Sequence, residues 1–174
     1  VGKPVLPLDA PEVSAAIERV QKRTDALLNC GGTHRPEWFH RKLGDILYEG
    51  CGVARDEAGL LDALTKVREL REEFWRDVKV VGTGNRLNQE LEKAGRVADF
   101  IELGEVMILD ALDRRESAGA HFRNEYATEA GEAKRNDGDW CAVSAWETRP
   151  DGTKVRHSEP LSFSLIDLQV RDYR

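Results

Sequence analysis

The chain has 174 residues, of which 40% are hydrophobic and 33% are charged, and its formal net charge is −6. This composition predicts one folded globular domain with a hydrophobic core, not a disordered chain. Acidic and basic residues are mixed along the whole sequence, without the basic stripe that nucleic-acid binding requires, so nucleic acid is not an expected partner. No apolar run is long enough to span a membrane, and direct membrane insertion is not expected either.

The start of the sequence and its cysteines bear on processing and compartment. The chain begins with Val1 instead of Met, and its first residues lack the basic and apolar regions of a signal peptide. We therefore expect a processed chain or a domain excised from a larger protein. Cys30, Cys51 and Cys141 are odd in number and widely spaced, which favours reduced thiols over a disulfide framework. A cytoplasmic location is expected.

The first two predicted helices are marked by their start and stop residues. Asp9 precedes Pro11 and is the expected N-cap of a helix that ends at Asn29. The helical spacing of its apolar residues predicts one packed stripe, made of Val13, Ala16, Ile17, Val20, Leu27 and Leu28. A second helix is predicted to begin at Pro36 and to close at Gly50. Its apolar residues are Phe39, Leu43, Ile46 and Leu47.

Two longer helices follow. Asp56 is the expected cap of the third, whose buried face is predicted to contain Leu60, Leu61, Leu64, Val67, Leu70 and Phe74. A fourth helix is predicted from about Leu87 to Glu116, with a bend near Gly95 or Gly104. Its apolar line is Leu91, Ala94, Ala98, Ile101, Val106, Leu109 and Leu112. Long helices with short connections pack antiparallel, so the sequence predicts an up-and-down bundle of three to four helices.

The pattern changes after Ser117. Residues 118–139 are loop-like, and residues 140–147 and 153–159 then predict two strands. The turn residues 149–152, Arg-Pro-Asp-Gly, join them. Residues 161–165 alternate in polarity and predict a further extended segment. The predicted fold is mainly α: an antiparallel helical bundle in residues 1–117, with a small C-terminal β-hairpin appendage in residues 118–174 packed on it as one domain.

One segment resembles the start of a dinucleotide-binding fingerprint. In residues 78–84 a short β-branched run leads to Gly82-x-Gly84 and then to a helix, an arrangement in which backbone amides can bind phosphate. However, Leu87 stands where the third glycine is needed, and no βαβ pattern surrounds the segment. The residues therefore favour an interhelical linker.

Two other groupings suggest chemistry more weakly. The soft metal ligands Cys30, His34, His40 and Cys51 lack the close pairs of zinc sites, so no metal site is predicted. No spacing supports Cys141 as a nucleophile with His121 as its base, and Cys141 is expected to pack within a strand. The four tryptophans are predicted to be core anchors: Trp38, Trp75, Trp140 and Trp146.

Residues 114–126, RRESAGAHFRNEY, concentrate charge where the fourth helix ends. Arginines at this position favour the negative end of the helix dipole and bond the last carbonyls. Gly119 can supply the positive φ of a sharp exit. His121 and Arg123 alternate, so in an extended segment they point the same way. One interpretation is a pair that grips an anion or a carboxylate. The other, which the residues favour, is a polar network that pins the loop to its own bundle.

The same segment resembles the motif R-x-E-S-x-G-x-H-x-R near the C-terminus of succinate dehydrogenase and fumarate reductase flavoproteins. The resemblance rests on Arg115-Glu116-Ser117, Gly119, His121, Arg123 and Glu125-Tyr126. Further stretches are similar to members of the family, namely residues 52–60, 132–137, 143–147 and 171–174. Two positions depart from the pattern: Ala118 replaces a common Arg, and Tyr126-Ala127 replaces an aromatic-Pro step.

The resemblance implies the C-terminal domain of a flavoprotein subunit whose parent interconverts succinate and fumarate through FAD and passes electrons to an iron–sulfur subunit. In the family, the flavin and substrate motifs lie N-terminal to this region, so no catalytic, cofactor-binding or metal-binding residue is expected here. A structural or interface role is implied for Arg115, Glu116, Ser117, Gly119, His121 and Arg123. The expected partners are the flavin-binding and capping domains and the iron–sulfur subunit, with the parent peripheral on the inner face of the cell membrane.

Two alternatives remain open. The chain would also fit a free-standing helical interaction module, or the C-terminal domain of a related flavoprotein such as L-aspartate oxidase or adenylylsulfate reductase. If the chain is an excised domain, some apolar residues of the bundle should lie bare where the missing domain would cover them.

Overall fold

The computed structural model describes residues 5–166 and 168–169, and the similar stretch at residues 171–174 lies outside them. Four long helices come first in the chain: α1 (Pro11–Asn29), α2 (Pro36–Gly50), α3 (Glu57–Asp77) and α4 (Gln89–Asp113). The shorter elements are β1 (Ala54–Arg55), β2 (Phe122–Arg123), α5 (Asp137–Trp140), β3 (Ala142–Thr148) and β4 (Lys154–Pro160). β1 pairs with β2 in parallel, and β3 and β4 form an antiparallel hairpin. The predicted mainly helical fold with a C-terminal hairpin is confirmed.

The helix starts agree with the sequence at α3 and differ at α1. Asp56 accepts a hydrogen bond from the backbone N–H of Gly59 at 2.8 Å, as expected for an N-cap. The predicted cap Asp9 is wrong, because Ala10 occupies the N-cap position of α1 and makes no side-chain cap. The residue before a proline is forced out of the helical region, and Ala10 has ψ 140. Pro11 therefore sets the boundary, which leaves Asp9 one residue too early.

The core lies between α2, α3 and α4. Its largest fully buried side chains include Phe39 and Phe74, whose rings meet edge to face with their centroids 5.2 Å apart. The structure corrects the predicted faces of two helices. Ala63 replaces Leu61 in the buried face of α3. In α4 the predicted Leu109 and Leu112 are partly buried against the core, and the fully buried residues beside them include Gly104, Glu105, Ile108 and Ala111.

Glu105 lies in the buried face of α4, although the apolar pattern of that helix does not include it. Its carboxylate is buried but accepts hydrogen bonds from Arg68 Nε at 2.7 Å and from Arg71 Nη1 at 2.5 Å. Burial raises the pKa of Glu105, but the two arginines outweigh it and the net pKa is lowered. A paired charge can therefore occupy a core position that the hydrophobic pattern assigns to an apolar residue.

α4 is one uninterrupted helix through both of the glycines where a bend was predicted. A Cβ atom built at Gly104 would lie 3.1 Å from Leu43 Cδ1 of α2, whereas one built at Gly95 would meet no atom within 4 Å. Gly104 therefore permits the close approach of α2 and α4 and does not break the helix.

α1 is attached more loosely than its apolar stripe predicts. Ile17 and Val20 are 62% and 66% exposed, and Leu27 is the residue of this helix that lies in the buried core. The helix is also tied to α4 by Arg23, which donates to Asp99 at 2.5 Å and to the backbone carbonyl of Gly95 at 3.1 Å. Of the six residues of the predicted stripe, two are thus exposed, three are half-buried and one is buried.

The hairpin packs on α4 through three carboxylates along that helix. Trp146 Nε1 donates to Asp110 at 2.8 Å, and two further ion pairs join Arg156 to Asp113 at 2.6 Å and Lys154 to Glu102 at 3.2 Å. The predicted turn at residues 149–152 is confirmed, with Gly152 at φ +85. No strand is assigned to residues 161–165. The predicted division at residue 117 stays a prediction.

The tryptophans are not the core anchors that the sequence predicts. Trp38, Trp140 and Trp146 are half-buried, and Trp75 is 39% exposed. Phe74, the neighbour of Trp75, occupies the core position instead. An indole is large and has an N–H group to satisfy, so it suits the rim of a small bundle better than its centre.

Within the described residues, no helix combines the length and hydropathy that crossing a membrane requires.

Candidate functional site

The charged segment folds into a tight exit from α4. The helix ends at Asp113, and Arg114 adopts an extended conformation with ψ 111. Two backbone hydrogen bonds of 2.8 and 3.1 Å then join Ala118 and His121 across a turn. Gly119 has φ +60 in this turn, which confirms the predicted positive φ. The chain thereby enters β2, where Arg123 pairs in register with Arg55 of β1.

Arg123 joins two helix ends. Its Nη1 donates to the carbonyl oxygens of Ala111 at 2.8 Å and Leu112 at 3.3 Å, the last turn of α4. Its Nε donates to Glu125 Oε2 at 3.1 Å, and Glu125 Oε1 accepts from the first backbone N–H of α3, that of Glu57, at 2.5 Å. A cation thus meets a helix C-terminus and an anion meets a helix N-terminus, the favourable arrangement for both dipoles. We call Arg123 and Glu125 the clasp.

Ser117 and Glu116 hold the backbone around the clasp. Ser117 is fully buried, and its hydroxyl donates to the carbonyl of Arg123 at 3.1 Å and accepts from the N–H of Arg123 at 2.8 Å. Glu116 is also buried, forms an ion pair with Arg114, and accepts from the backbone N–H of Asn136 at 3.3 Å. All of these contacts lie within the chain and connect the loop to α4.

His121 is buried beside arginines. Arg55 Nη1 lies 3.1 Å from His121 Nδ1, and an arginine can only donate, so the hydrogen-bond network assigns the ring proton to Nε2. Burial lowers the pKa of His121, and the charges of Arg55, Arg114 and Arg123 lower it further. The carbonyl of Arg114 opposes this shift of the pKa but does not make a hydrogen bond with Nε2. The imidazole is therefore held neutral.

The predicted residues do not all come together. Arg115 is exposed and forms no ion pair or side-chain hydrogen bond in the part of the chain that the structure describes, although it was placed in the motif. Its neighbour Arg114 occupies the inward position instead. Sequence reasoning also missed Arg55 and Asn136. Arg55 and Asn136 lie in two of the stretches similar to the family, 52–60 and 132–137, and these similarities were the available signal.

The glycine segment is the linker that the sequence favours. It follows α3 and precedes α4, and Asn88 Nδ2 donates to the carbonyls of Val81 at 2.9 Å and Thr83 at 3.2 Å. No strand leads into it as a dinucleotide fingerprint requires. The segment is therefore a connection between two helices, and the hydrogen bonds of Asn88 hold its backbone in place.

The candidate metal ligands have separate neighbours. His34 Nδ1 lies 2.6 Å from Asp77, which also accepts from Thr33 and whose pKa is held at about 2 by these hydrogen bonds. Cys30 Sγ donates to the carbonyl of Trp75 at 3.5 Å, and burial raises the pKa of Cys51. Among residues 5–166 and 168–169 no group of three or more metal-ligating side chains converges.

The proposed nucleophile–base pair is not formed either. Cys141 lies at the C-cap of α5, one residue before β3, where its carbonyl accepts from the N–H of Leu161 at 2.9 Å. The prediction that it packs within a strand is therefore wrong by one residue. No hydrogen bond in the described chain connects Cys141 with His121.

Comparison with known proteins matches the model of the family described as fumarate reductase flavoprotein C-terminal to residues 40–173. The chain is 26% identical over 160 residues to the succinate dehydrogenase flavoprotein subunit of Bacillus subtilis, which covers 91% of this chain and 26% of that protein. It is 30% identical over 111 residues to the fumarate reductase flavoprotein subunit of Escherichia coli, covering 64% of this chain and 18% of that protein. The chain thus spans about a quarter or less of these relatives.

The same fold occurs in solved structures. An Escherichia coli quinol fumarate reductase matches with a TM-score of 0.75 at 24% identity, covering 89% of this chain and 26% of that one. An adenosine-5-phosphosulfate reductase matches with a TM-score of 0.67 at 16% identity, covering 90% and 26%. At these identities the structures show only a shared fold. The assignment to a family rests on the matches in sequence.

Proposed function

Because this chain belongs to the family of fumarate reductase flavoprotein C-terminal domains, we propose that it is the C-terminal helical domain of a succinate dehydrogenase or fumarate reductase flavoprotein subunit. The match of the family model over residues 40–173 carries this proposal. The parent subunit interconverts succinate and fumarate with FAD and passes electrons to an iron–sulfur subunit. The domain itself contributes structure and contacts, not catalytic groups.

FAD is proposed to bind outside this chain. When bound, the flavin supplies the redox chemistry, and a protein contributes binding and orientation. The Gly82–Gly84 segment does not fit it, because this segment connects the helices α3 and α4 and does not follow a strand, as a pyrophosphate-binding turn does. We therefore derive no catalytic step from the residues of this domain.

An exposed apolar face supports docking to another domain. Phe100, Leu103 and Met107 of α4 are 41%, 55% and 48% exposed. Together with Leu43 and Leu47 of α2 they line a groove of about 240 Å³. Bare apolar residues were expected on an excised domain, and contiguous apolar surface is typical of interfaces. The proposed neighbours are the flavin-binding and capping domains, and the iron–sulfur subunit of a cytoplasmic complex peripheral to the membrane.

The charged motif is proposed to pin the exit from α4. Glu116, Ser117, His121 and Arg123 are all buried, and their hydrogen bonds connect the loop with α4 and β1. Glu125, the partner of Arg123, adds the contact with α3. Gly119 provides the turn, and the exposed Arg115 is left for an interface. The motif would thereby fix the position of the hairpin that follows it.

The first test reads the gene upstream of Val1. A contiguous open reading frame with a Gly-rich flavin fingerprint is the expected result, and a start codon at this point would decide for the free-standing module. The second test measures the purified 174-residue chain. We expect neither a flavin absorbance band nor succinate-dependent dye reduction, and the presence of both would contradict a non-catalytic domain.

A further inference from the structure

A cleft of about 370 Å³ lies between the end of α4, the connection from α2 to β1, and β3. Its polar lining consists of Arg55, Asp110, Arg114 and Ser144. The apolar residues around them include Met107 and Trp146. The cleft is separate from the exposed groove between α2 and α4, except that Met107 borders both.

Arg55 is a half-buried cation that has no counter-ion among the described residues. Its Nε donates to the carbonyl of Gly52 at 2.7 Å and its Nη1 to His121 Nδ1 at 3.1 Å, and both acceptors are neutral. Within residues 5–166 and 168–169 no carboxylate forms an ion pair with it. Charges that leave water are ordinarily paired, so the fixed guanidinium of Arg55 is set to receive an anion.

Arg114 adds a second guanidinium to the lining of the same cleft. One terminal nitrogen bonds Glu116, but its buried Nε has no hydrogen-bond partner in the described chain. A buried donor without an acceptor lowers the stability of the fold. Burial is the main cause of the lowered pKa of His121, and the nearby charges of Arg55 and Arg114 add to it.

The other polar groups of the cleft are already engaged. Asp110 accepts from Trp146 Nε1 at 2.8 Å, and Ser144 Oγ accepts from Arg156 Nη1 at 3.2 Å. Asp110 leaves one negative charge on the wall, which favours a ligand of low charge over a polyanion.

We propose that this cleft binds a carboxylate group, which accepts hydrogen bonds from the guanidinium groups of Arg55 and Arg114. A carboxylate offers two acceptor oxygens in the geometry that guanidinium groups prefer. It comes either from a small carboxylate ligand or from an Asp or Glu side chain of an adjoining domain. The proposal goes beyond the role of the chain in a flavoprotein and does not depend on it, since it rests on contacts within this chain.

The test titrates the 174-residue chain with sodium acetate, using sodium chloride at equal ionic strength as the reference. NMR follows the arginine Nε–H signals and the indole N–H of Trp146. We expect saturable shifts of the Arg114 Nε–H and Trp146 signals with acetate, together with a saturable rise in Tm. Shifts that increase linearly, or that chloride reproduces, would mean that water alone satisfies the donors and would overturn the proposal.

Two matched variants assign the site. Arg114→Lys keeps the charge beside Glu116 but removes the guanidinium group, and it should weaken acetate binding about tenfold, the loss expected for a hydrogen bond to a charged group. Arg115→Lys changes the exposed neighbour in the same way and should bind acetate like the unaltered chain. Equal acetate affinity in the two variants would refute the assignment, and circular dichroism checks that both are folded.

The intact subunit then distinguishes the two sources of the carboxylate. If the Arg114 signal already has its ligand-bound position and acetate no longer shifts it, a side chain of the adjoining domain occupies the cleft. If acetate still shifts the signal in a saturable way, the ligand is a small carboxylate. Either outcome supports the site. Flavin content measured on the same sample tests the proposed function separately.

Discussion

Arg123 is 3% exposed at its side chain, although a buried guanidinium is costly unless its donors are satisfied. Two carbonyls of α4 and the carboxylate of Glu125 accept from it, and its guanidinium carbon lies 5.5 Å from the centre of the Tyr126 ring. One side chain therefore satisfies backbone groups that the end of a helix would otherwise leave unpaired.

Arg123→Ala should lower the free energy of unfolding by about 3 kcal/mol, because it leaves Glu125 and two buried carbonyls without their donor. Arg115→Ala is the matched control: it removes an arginine from the same segment, but an exposed one, and should change stability by less than about 0.5 kcal/mol. Urea denaturation followed by circular dichroism measures both. Similar losses in the two variants would argue against the clasp.

His121 should make stability depend on pH. Its pKa is lowered in the folded state, so below about pH 6.5, its ordinary value, the unfolded chain binds more protons than the folded one. The stability that the neutral ring provides is therefore present above pH 6.5 and is lost as the pH falls toward the lowered pKa. His121→Asn retains an acceptor for Arg55 without titrating, and it should flatten the decline in unfolding free energy between pH 7 and 5.

The exposed His40 provides the control for this measurement. His40→Asn replaces an imidazole of the same chain that lies outside the network of Arg55 and His121, so it serves as the matched substitution. A slope that flattens equally in His40→Asn and His121→Asn would show that the decline does not originate at the buried ring.

Residue-level prediction succeeded where a local rule decides the outcome. Gly119 adopts its positive φ and Asp56 caps α3, because turn and cap chemistry involve near neighbours. The inward position of Arg114 and the partner role of Arg55 were missed. Arg55 and His121 are separated by 66 positions, and periodicity along the chain carries no information about such a pair.

α4 shows how one helix combines two kinds of glycine. Gly95 has open space where a Cβ would be added, whereas Gly104 faces Leu43 of α2 at 3.1 Å. The packing of the two helices depends on the second glycine and is indifferent to the first. The same α4 carries Glu102, Asp110 and Asp113 toward the hairpin, so it is the element on which most of the fold assembles.

Gly95→Ala should therefore stabilise the chain by about 0.5–1 kcal/mol, because alanine loses less backbone entropy than glycine in a helix. Gly104→Ala gains the same helix propensity but crowds Leu43, so it should be less stable than Gly95→Ala by about 1 kcal/mol or more. Thermal melts of the two variants make the comparison. Equal melting temperatures would show that α2 moves aside at no cost.

Element-level prediction was good for the existence of helices and weaker for their faces. Caps and glycines mark α2, α3 and the linker after α3, and these were found as predicted. Glu105 was left out of the buried face of α4 because it counts as polar in any hydrophobic pattern, and its partners Arg68 and Arg71 belong to another helix. The register of a helix against its neighbours is a tertiary property.

In the described part of the chain, α2, α3 and α4 pack closely around the core, whereas apolar residues of α1 and α4 remain exposed. α3 is enclosed by α2 and α4, while α1 leaves Ile17 and Val20 exposed and α4 leaves Phe100, Leu103 and Met107 exposed. Sequence periodicity predicts that an apolar face will be covered but cannot say by what. If a domain outside this chain covers these residues, they are buried in the parent subunit and exposed in the chain by itself.

Leu103→Gln should reduce the binding of an apolar dye such as 8-anilinonaphthalene-1-sulfonate, because Leu103 is 55% exposed in the groove between α2 and α4. Leu61→Gln is the control, since Leu61 is similarly exposed at 49% but lies on α3 outside the groove. Dye fluorescence at a fixed protein concentration gives the comparison. An equal reduction in both variants would mean that the dye reports scattered leucines.

The clasp has a consequence for the time course of folding. Glu125 meets Glu57 across 68 positions of sequence, so a long loop must close before this contact gives any gain. We expect it to form after the main barrier has been crossed. Arg123→Ala should then leave the refolding rate almost unchanged and speed unfolding about a hundredfold, because the loss of about 3 kcal/mol would lower the barrier to unfolding by that amount. The two limbs of a chevron plot measure the two rates. In that case the clasp serves the domain as a latch, and its effect is to prolong the lifetime of the folded state.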